Sequence, residues 1–166
     1  GYPVEDYVAT VTDIVDLSPT IKGLHLKLDR PMTFQAGQYI NIEVPGVEGA
    51  RAFSLANPPG KPDEVELHIR LVPGGAATTY IHEQLKVGEE LNLSGPYGQF
   101  FVRSSQPGDL IFIAGGSGLS SPQSTSFTKK PCYASTTALQ NRKMFPLKWV
   151  APESSSRNSQ RLVTSL

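Results

Sequence analysis

The chain reads as a mainly β protein: a six-stranded antiparallel Greek-key barrel with one short helix, followed by the opening of an α/β unit. Three observations lead there. Between residues 7 and 103, β-branched and aromatic residues alternate with polar ones in short runs, separated by Gly, Pro, Asn and Asp clusters. Those breaks recur roughly every 8–12 residues, the spacing of small barrels and sandwiches. At Leu110–Ala114 the pattern changes to a continuously apolar run that feeds Gly115-Gly116-Ser117-Gly118, as a strand covered on both faces does when it enters a nucleotide loop.

The elements follow in order. Tyr7–Asp16 alternates and is rich in Val and Thr, a strand pattern. Ile21–Leu28 is a second strand, with Leu24, Leu26 and Leu28 on one face and His25 and Lys27 on the wet one. Tyr39–Val44 is a third, entered through Phe34-Gln35-Ala36-Gly37-Gln38 and ended by Pro45-Gly46. Arg51–Ser54 is a fourth; if it is extended, Arg51 and Phe53 share one face and Ala52 and Ser54 the other. Glu64–Val72 is the clearest strand, with Val65, Leu67, Ile69 and Leu71 in strict alternation. Ala77, Tyr80, Ile81 and Leu85 fall at helical spacing, so one short helix starts near Ala77 and is stopped by Gly88. Glu89–Leu93 is the sixth strand, and Gly95-Pro96-Tyr97-Gly98 is expected to turn. After the Gly-rich loop no helix is expected. From Gln123 onward neither a period of two nor one of 3.6 is sustained.

Composition divides the chain at the same place. Residues 1–123 hold 14 of the 15 acids and 8 of the 15 bases, a balance of −6; residues 124–166 hold Glu153 and seven bases, a balance of +6. All 15 glycines lie at or before Gly118, and the last 43 residues carry 13 Ser or Thr. The expected division is 1–107 for the barrel, 108–123 for the first strand and loop of a truncated second domain, and 124–166 for a disordered or aberrant tail. Gly1 in place of Met suggests a fragment or a processed start. A single cysteine, Cys132, excludes an internal disulfide framework and fits a reducing compartment, so the expected location is the cytoplasm. No run approaches the ~20 apolar residues of a membrane span. Bases are too sparse in 1–123 for a nucleic-acid partner. His25, His68 and His82 lack metal-site spacing.

Three clusters could carry chemistry. Arg51, Phe53 and Ser54 set a cation and a flat ring on one strand, which suits a ligand with a phosphate and a planar ring system; they would equally make a strand end with a solvated Arg and a core Phe. Gly74–Thr78 opens the helix, where unpaired N–H groups and small residues let a phosphate approach, or where Thr78 acts as a local cap. Gly115–Gly118 lets a backbone approach a pyrophosphate.

In order and spacing, Phe34-x-x-Gly37-Gln38-Tyr39, Arg51-x-Phe53-Ser54, Gly75-x-x-Thr78, Gly95-Pro96-x-Gly98 and Gly115-Gly116-Ser117-Gly118-Leu119-x-x-Pro122 resemble the ferredoxin–NAD(P)+ reductase-like flavoproteins. Within them, the reductase component of bacterial multicomponent phenol hydroxylases is the nearest likeness, over residues 7–123. The resemblance implies an FAD barrel and a nicotinamide-nucleotide domain, with NADH or NADPH as electron donor, a [2Fe–2S] centre in full-length members and an oxygenase component as partner. It implies that Arg51 holds an FAD phosphate, that Phe53 packs on the flavin, and that Ser54, the candidate catalytic residue, hydrogen-bonds near the flavin N5. It further implies that the backbone at His68 and Ile69 faces the flavin ring, that Gly75 and Thr78 hold the pyrophosphate, and that Gly115, Gly116, Ser117 and Gly118 receive the nicotinamide nucleotide. Two departures stand out: the chain has no cysteine set for an iron–sulfur cluster, and the second domain stops after its first loop. The other reading is a non-enzymatic flavin- or nucleotide-binding β-barrel module.

Overall fold

A computed structural model of the chain describes residues 1–102, 111–114, 116–126 and 133–136. Six strands, β1 (Glu5–Ser18), β2 (Ile21–Leu28), β3 (Tyr39–Glu43), β4 (Ala50–Ser54), β5 (Glu64–Arg70) and β6 (Glu90–Tyr97), form one antiparallel sheet in the order β4-β3-β6-β1-β2-β5. The sheet curls until its two ends meet at a single antiparallel bridge, Leu55 to Leu67, backed by the Ala56 N–H on the Glu66 carbonyl at 2.8 Å. The inward residues are those the alternation selects. Leu24, Leu26, Val65, Leu67, Ile69, Ile40 and Ile42 are all at most 2 % exposed, because each second residue of a strand faces the same side.

Helix α1 (Ala76–Glu83) joins β5 to β6 and packs Ala77 and Ile81 onto the core. It therefore lies at the barrel end where β5 stops, β6 starts, and the β3–β4 loop turns. The sixth strand runs on through Gly95 and Pro96 to Tyr97, where the sequence suggested a turn. The cause is packing. Gly95 lies against Ile40, and a Cβ there would come within 2.8 Å of the isoleucine Cγ2. Glycine is what lets β6 approach β3, so cross-strand pairing prevails over the turn-like Gly-Pro pair.

Beyond the barrel, β7 (Ile111–Ala114) leads to a single 3-10 turn at Gly116–Leu119, then α2 (Ser120–Ser126) and β8 (Tyr133–Thr136). β7 and β8 pair in parallel. This corrects the expectation that no helix follows the Gly-rich loop. Ser120-Ser121-Pro122-Gln123 carries no helical apolar period, yet Pro122 falls in the first turn, where its missing N–H costs nothing. Ser120, Ser124 and Thr125 are at most 1 % exposed, so contacts with the barrel supply what propensity does not. β8 lies in the stretch for which no structure was expected. Gly115 and the greater part of 124–166 lie outside the described residues.

Candidate functional site at the barrel seam

The seam between β4 and β5 is where the barrel stays open. Glu66 shows which backbone groups face it: its N–H donates to Asn57 Oδ1 at 2.9 Å and its carbonyl accepts from Ala56 on the β4 side. Backbone direction alternates along a strand, so the N–H and C=O of His68 point into the same seam. The bridge lies beside His68, and past it β4 pairs only with β3, so the seam widens along β5 toward α1. From the bridge, β4 runs back through Ser54 and Phe53 to Arg51 while β5 runs forward through His68 and Ile69 toward α1. Arg51 and the α1 N-terminus thus share one end of the seam, and Ser54 and His68 share its middle.

Each side chain has a defined setting. Arg51 is exposed, and its Nη1 donates to the carbonyls of Glu48, Gly49 and Ala50 at 3.1, 3.2 and 3.1 Å. Among the described residues it forms no ion pair. The guanidinium is held by its own loop and keeps donors free for an anion. Phe53 lies opposite Ile40 and Arg51 opposite Ile42, so the shared face is the inward one. Phe53 is half-buried and packs on the core, and Arg51 emerges where that face opens. The two readings of this stretch are therefore not exclusive. Ser54 lies opposite Tyr39 on the outer face, half-buried, and its hydroxyl has no hydrogen-bond partner among the described residues. Tyr39 stacks on Tyr97 at 5.5 Å between ring centroids.

At α1, Gly75 is the N-cap and no side chain caps the helix. Its first internal bond is the Thr79 N–H to the Gly75 carbonyl at 3.0 Å, so the amides of Ala76, Ala77 and Thr78 have no intrahelical acceptor. The Thr78 hydroxyl is occupied locally: it accepts from the Val72 N–H at 3.0 Å and donates to the Gly75 carbonyl at 3.2 Å. A Cβ on Gly75 would meet Thr78 Oγ1 at 3.0 Å and Val72 at 3.1 Å, which makes glycine the residue that lets this turn close.

The Gly-rich loop is held against the outer face of β5. Gly116 has φ +57°, and a Cβ on it would sit 3.8 Å from Arg70 Cδ. Gly118 is exposed, and the Ser117 carbonyl accepts from the Ser120 hydroxyl at 2.9 Å. The Ser124 hydroxyl donates to the Asn57 carbonyl at 2.6 Å, and the Gln123 side chain hydrogen-bonds Glu66. Glu66 also pairs with His68 Nε2 at 2.8 Å. That hydrogen bond holds the Glu66 carboxyl below its ordinary value; burial opposes the shift, and the charges of His68 and His25 and the Gln123 bond add to it. The structure thus brings Gly116–Gly118 to the same strand as His68 and Ile69. Asn57, Glu66, Gln123 and Ser124 were not singled out in the sequence. Their partners lie up to 67 positions away, and no local pattern marks such pairs. The Ile69 carbonyl is met by His82 Nε2 at 2.8 Å.

Among the described residues no helix is long and apolar enough to cross a membrane, and no three His, Cys, Asp or Glu side chains are grouped to hold a metal. What the seam offers is a free cation, unpaired helix amides and an open strand edge, a set that fits a flavin dinucleotide.

An antiparallel barrel with this opening beside a helix start is the arrangement of a flavin-binding oxidoreductase module. Residues 8–102 match the oxidoreductase FAD-binding domain family, and the chain belongs to it. Two curated relatives resemble it strongly. The reductase component DmpP of phenol 2-monooxygenase from Pseudomonas sp. (strain CF600) is 76% identical over 124 residues, 75% of this chain and 35% of that protein. The phenol hydroxylase P5 protein of Acinetobacter pittii (strain PHEA-2) is 68% identical over 124 residues, again 75% and 35%. The chain thus spans about a third of the length of these relatives. Among solved structures, the Amycolatopsis cytochrome P450 reductase GcoB superposes with a TM-score of 0.77 at 30% identity, covering 84% of this chain and 45% of that one.

Proposed function

We propose that the chain is the FAD-binding part of an NADH-oxidising reductase that serves a multicomponent phenol hydroxylase, with the opening of its nicotinamide-nucleotide domain attached. The observation that carries this is Arg51: a guanidinium with no carboxylate partner among the described residues, fixed at the mouth of an open seam, at the end where α1 presents its unpaired amides. Bound there, FAD supplies exchange between a two-electron hydride donor and one-electron acceptors.

The chain's own groups bind and orient. Arg51 and the amides of Ala76–Thr78 hold the pyrophosphate. Phe53 supplies apolar contact along the seam. The Ser54 hydroxyl and the His68 backbone present hydrogen-bonding groups to the polar edge of the ring, with Ile69 forming the strand wall behind. Gly75 keeps the α1 turn tight enough for the phosphate to approach. The Gly115, Gly116, Ser117 and Gly118 loop admits the nicotinamide nucleotide, with Gly116 next to Arg70. Electrons would leave for an iron–sulfur centre and then an oxygenase component, in the cytoplasm. The division into 1–107, 108–123 and 124–166 is part of the same proposal.

Titration of the purified chain with FAD, read by flavin fluorescence and by melting temperature, tests it. Specific binding raises the melting point as ligand exceeds its dissociation constant. No binding, with a cooperative melt, would leave a folded barrel of another function. Measured NADH-dependent dye reduction then separates an active reductase from a flavin-binding module.

A further inference from the structure

Nothing in the flavin assignment uses the Glu66 carboxylate. It stands half-buried on the outer face of β5, with His68 Nε2 at 2.8 Å and the Gln123 side chain of α2 as a second partner. Residues 116–126 carry no charged side chain, so this carboxylate is a charge that the barrel supplies to the joint. His25 lies opposite Glu66 on β2, and Asp13 lies opposite His25 on β1. In the same groove Lys61 pairs with Glu64 at 2.8 Å, and Lys27 pairs with Asp63. The charges that act on Glu66 are those of His68 and His25.

A second tie runs beside the first. The Ser124 hydroxyl donates to the Asn57 carbonyl at 2.6 Å, and Asn57 grips β5 through the Glu66 N–H at 2.9 Å and the Glu64 carbonyl at 2.8 Å. That tie fixes where α2 sits along β5. The Glu66 tie differs, because its other partner is His68, whose backbone points into the seam. A carboxylate can accept from two donors at once. Holding both restricts His68 and α2 together, so ordering one side lowers the cost of ordering the other. We propose that Glu66 is a positioning residue that couples the seating of residues 116–126 to occupation of the seam through His68. The inference rests on the flavin reading of the seam. Such coupling is reciprocal: FAD steadies the Gly-rich unit, and a seated unit tightens FAD.

Hydrogen exchange of the intact chain at residues 116–126 is the test, with β1 and β2 as internal reference. FAD is expected to slow exchange at 116–126 by about threefold, and Gln123→Ala, which severs the α2 side, to cancel that slowing while β1 and β2 hold. pH supplies a readout that packing alone would not move. The His68 hydrogen bond, first, and the imidazole charges hold the Glu66 carboxyl below its ordinary 4.5 against the opposing effect of burial. The tie is therefore complete above about pH 4.5 and lost as pH falls through the lower native value. Without FAD, protection at 116–126, corrected for the intrinsic rate, should fall over that range in the unmodified chain and stay level in Glu66→Gln. Equal slowing by FAD in Gln123→Ala and the unmodified chain, or protection independent of pH in the unmodified chain, would overturn the coupling while FAD binding stands. Failure of the unmodified chain to bind FAD would overturn the coupling together with the flavin reading.

Discussion

The two flanks of this barrel are built from similar residues and do different work. On the closed flank β1 lies between β2 and β6, with pairing that runs from Ala9–Leu28 to Ser18–Ile21 on one side and from Glu5–Gly95 to Thr10–Glu90 on the other. Backbone groups there are spent on the ladder, and side chains alternate between core and water. On the open flank β4 and β5 share one bridge. Among the described residues the Ser54 hydroxyl has no hydrogen-bond partner, and the Arg51 guanidinium meets only carbonyls of its own loop. A fold that closes everywhere leaves nothing for a ligand; this one closes on five sides and stops at the sixth.

Mutations can break or sharpen that contrast. The largest effect is expected on the closed flank. Leu26, 1 % exposed between Val11 and Val65, should cost about 2–5 kcal/mol of unfolding free energy as Leu26→Ala, measured by urea denaturation, with FAD affinity of the folded protein intact. If FAD affinity falls as far as stability does, the two flanks are not separable. Arg51→Ala should do the reverse. Losing a charged hydrogen-bonding group costs about 1.5–3 kcal/mol of binding, so FAD should bind some ten- to a hundredfold more weakly, with the melting temperature held. An unchanged dissociation constant would remove Arg51 from the site.

Gly37 tests the join between barrel and exit segment. It has φ +99°, and a Cβ there would lie 1.8 Å from the Phe100 carbonyl oxygen. Beside it the buried Gln38 amide donates to the Gly98 carbonyl at 3.0 Å. Gly37→Ala should cost about 1–3 kcal/mol through the strained backbone and raise hydrogen exchange near residues 98–100 before it does so in β1 or β2. Uniform loss of protection across the barrel would contradict this.

The smallest effect is expected at Glu66, where the Gly-rich unit rests on β5. Its carboxyl is held below the ordinary value of 4.5, first by the His68 hydrogen bond. The folded state therefore favours the carboxylate. The stabilisation is present in full above the ordinary value and is lost as pH falls through the lower native one. It should amount to less than about 1 kcal/mol, because the pair is partly solvated. Acid-unfolding curves should flatten below about pH 4.5 in Glu66→Gln. A curve identical to that of the unmodified chain would show that the pair contributes nothing.

Much of this was legible in the sequence. The alternation in Ile21–Leu28 and Glu64–Arg70 named both the strands and their buried faces, since a period of two leaves little choice once one face is apolar. Helix α1 was found from Ala77, Ile81 and Leu85, all of which are buried. The run through Gly95-Pro96 was misread as a turn, because the local signal says nothing of Ile40 across the sheet. α2 was missed for the same kind of reason: Ser120, Ser124 and Thr125 are buried by contact, not selected by period.

The sequence by itself determined which residues of the barrel strands face inward and where most of those strands end, and it offered a few candidates to meet a phosphate and a ring. Those are properties of neighbours in the chain, and steric and hydrophobic periodicity write them locally. Only the tertiary structure decided that the barrel closes at Leu55–Leu67 and no further, that Arg51 and the start of α1 share one end of the opening, and that Ser124 and Gln123 fasten the Gly-rich unit to Asn57 and Glu66. These are matters of register and strand order, set by how the whole sheet curls to bury its apolar face, and no short stretch of sequence carries that information.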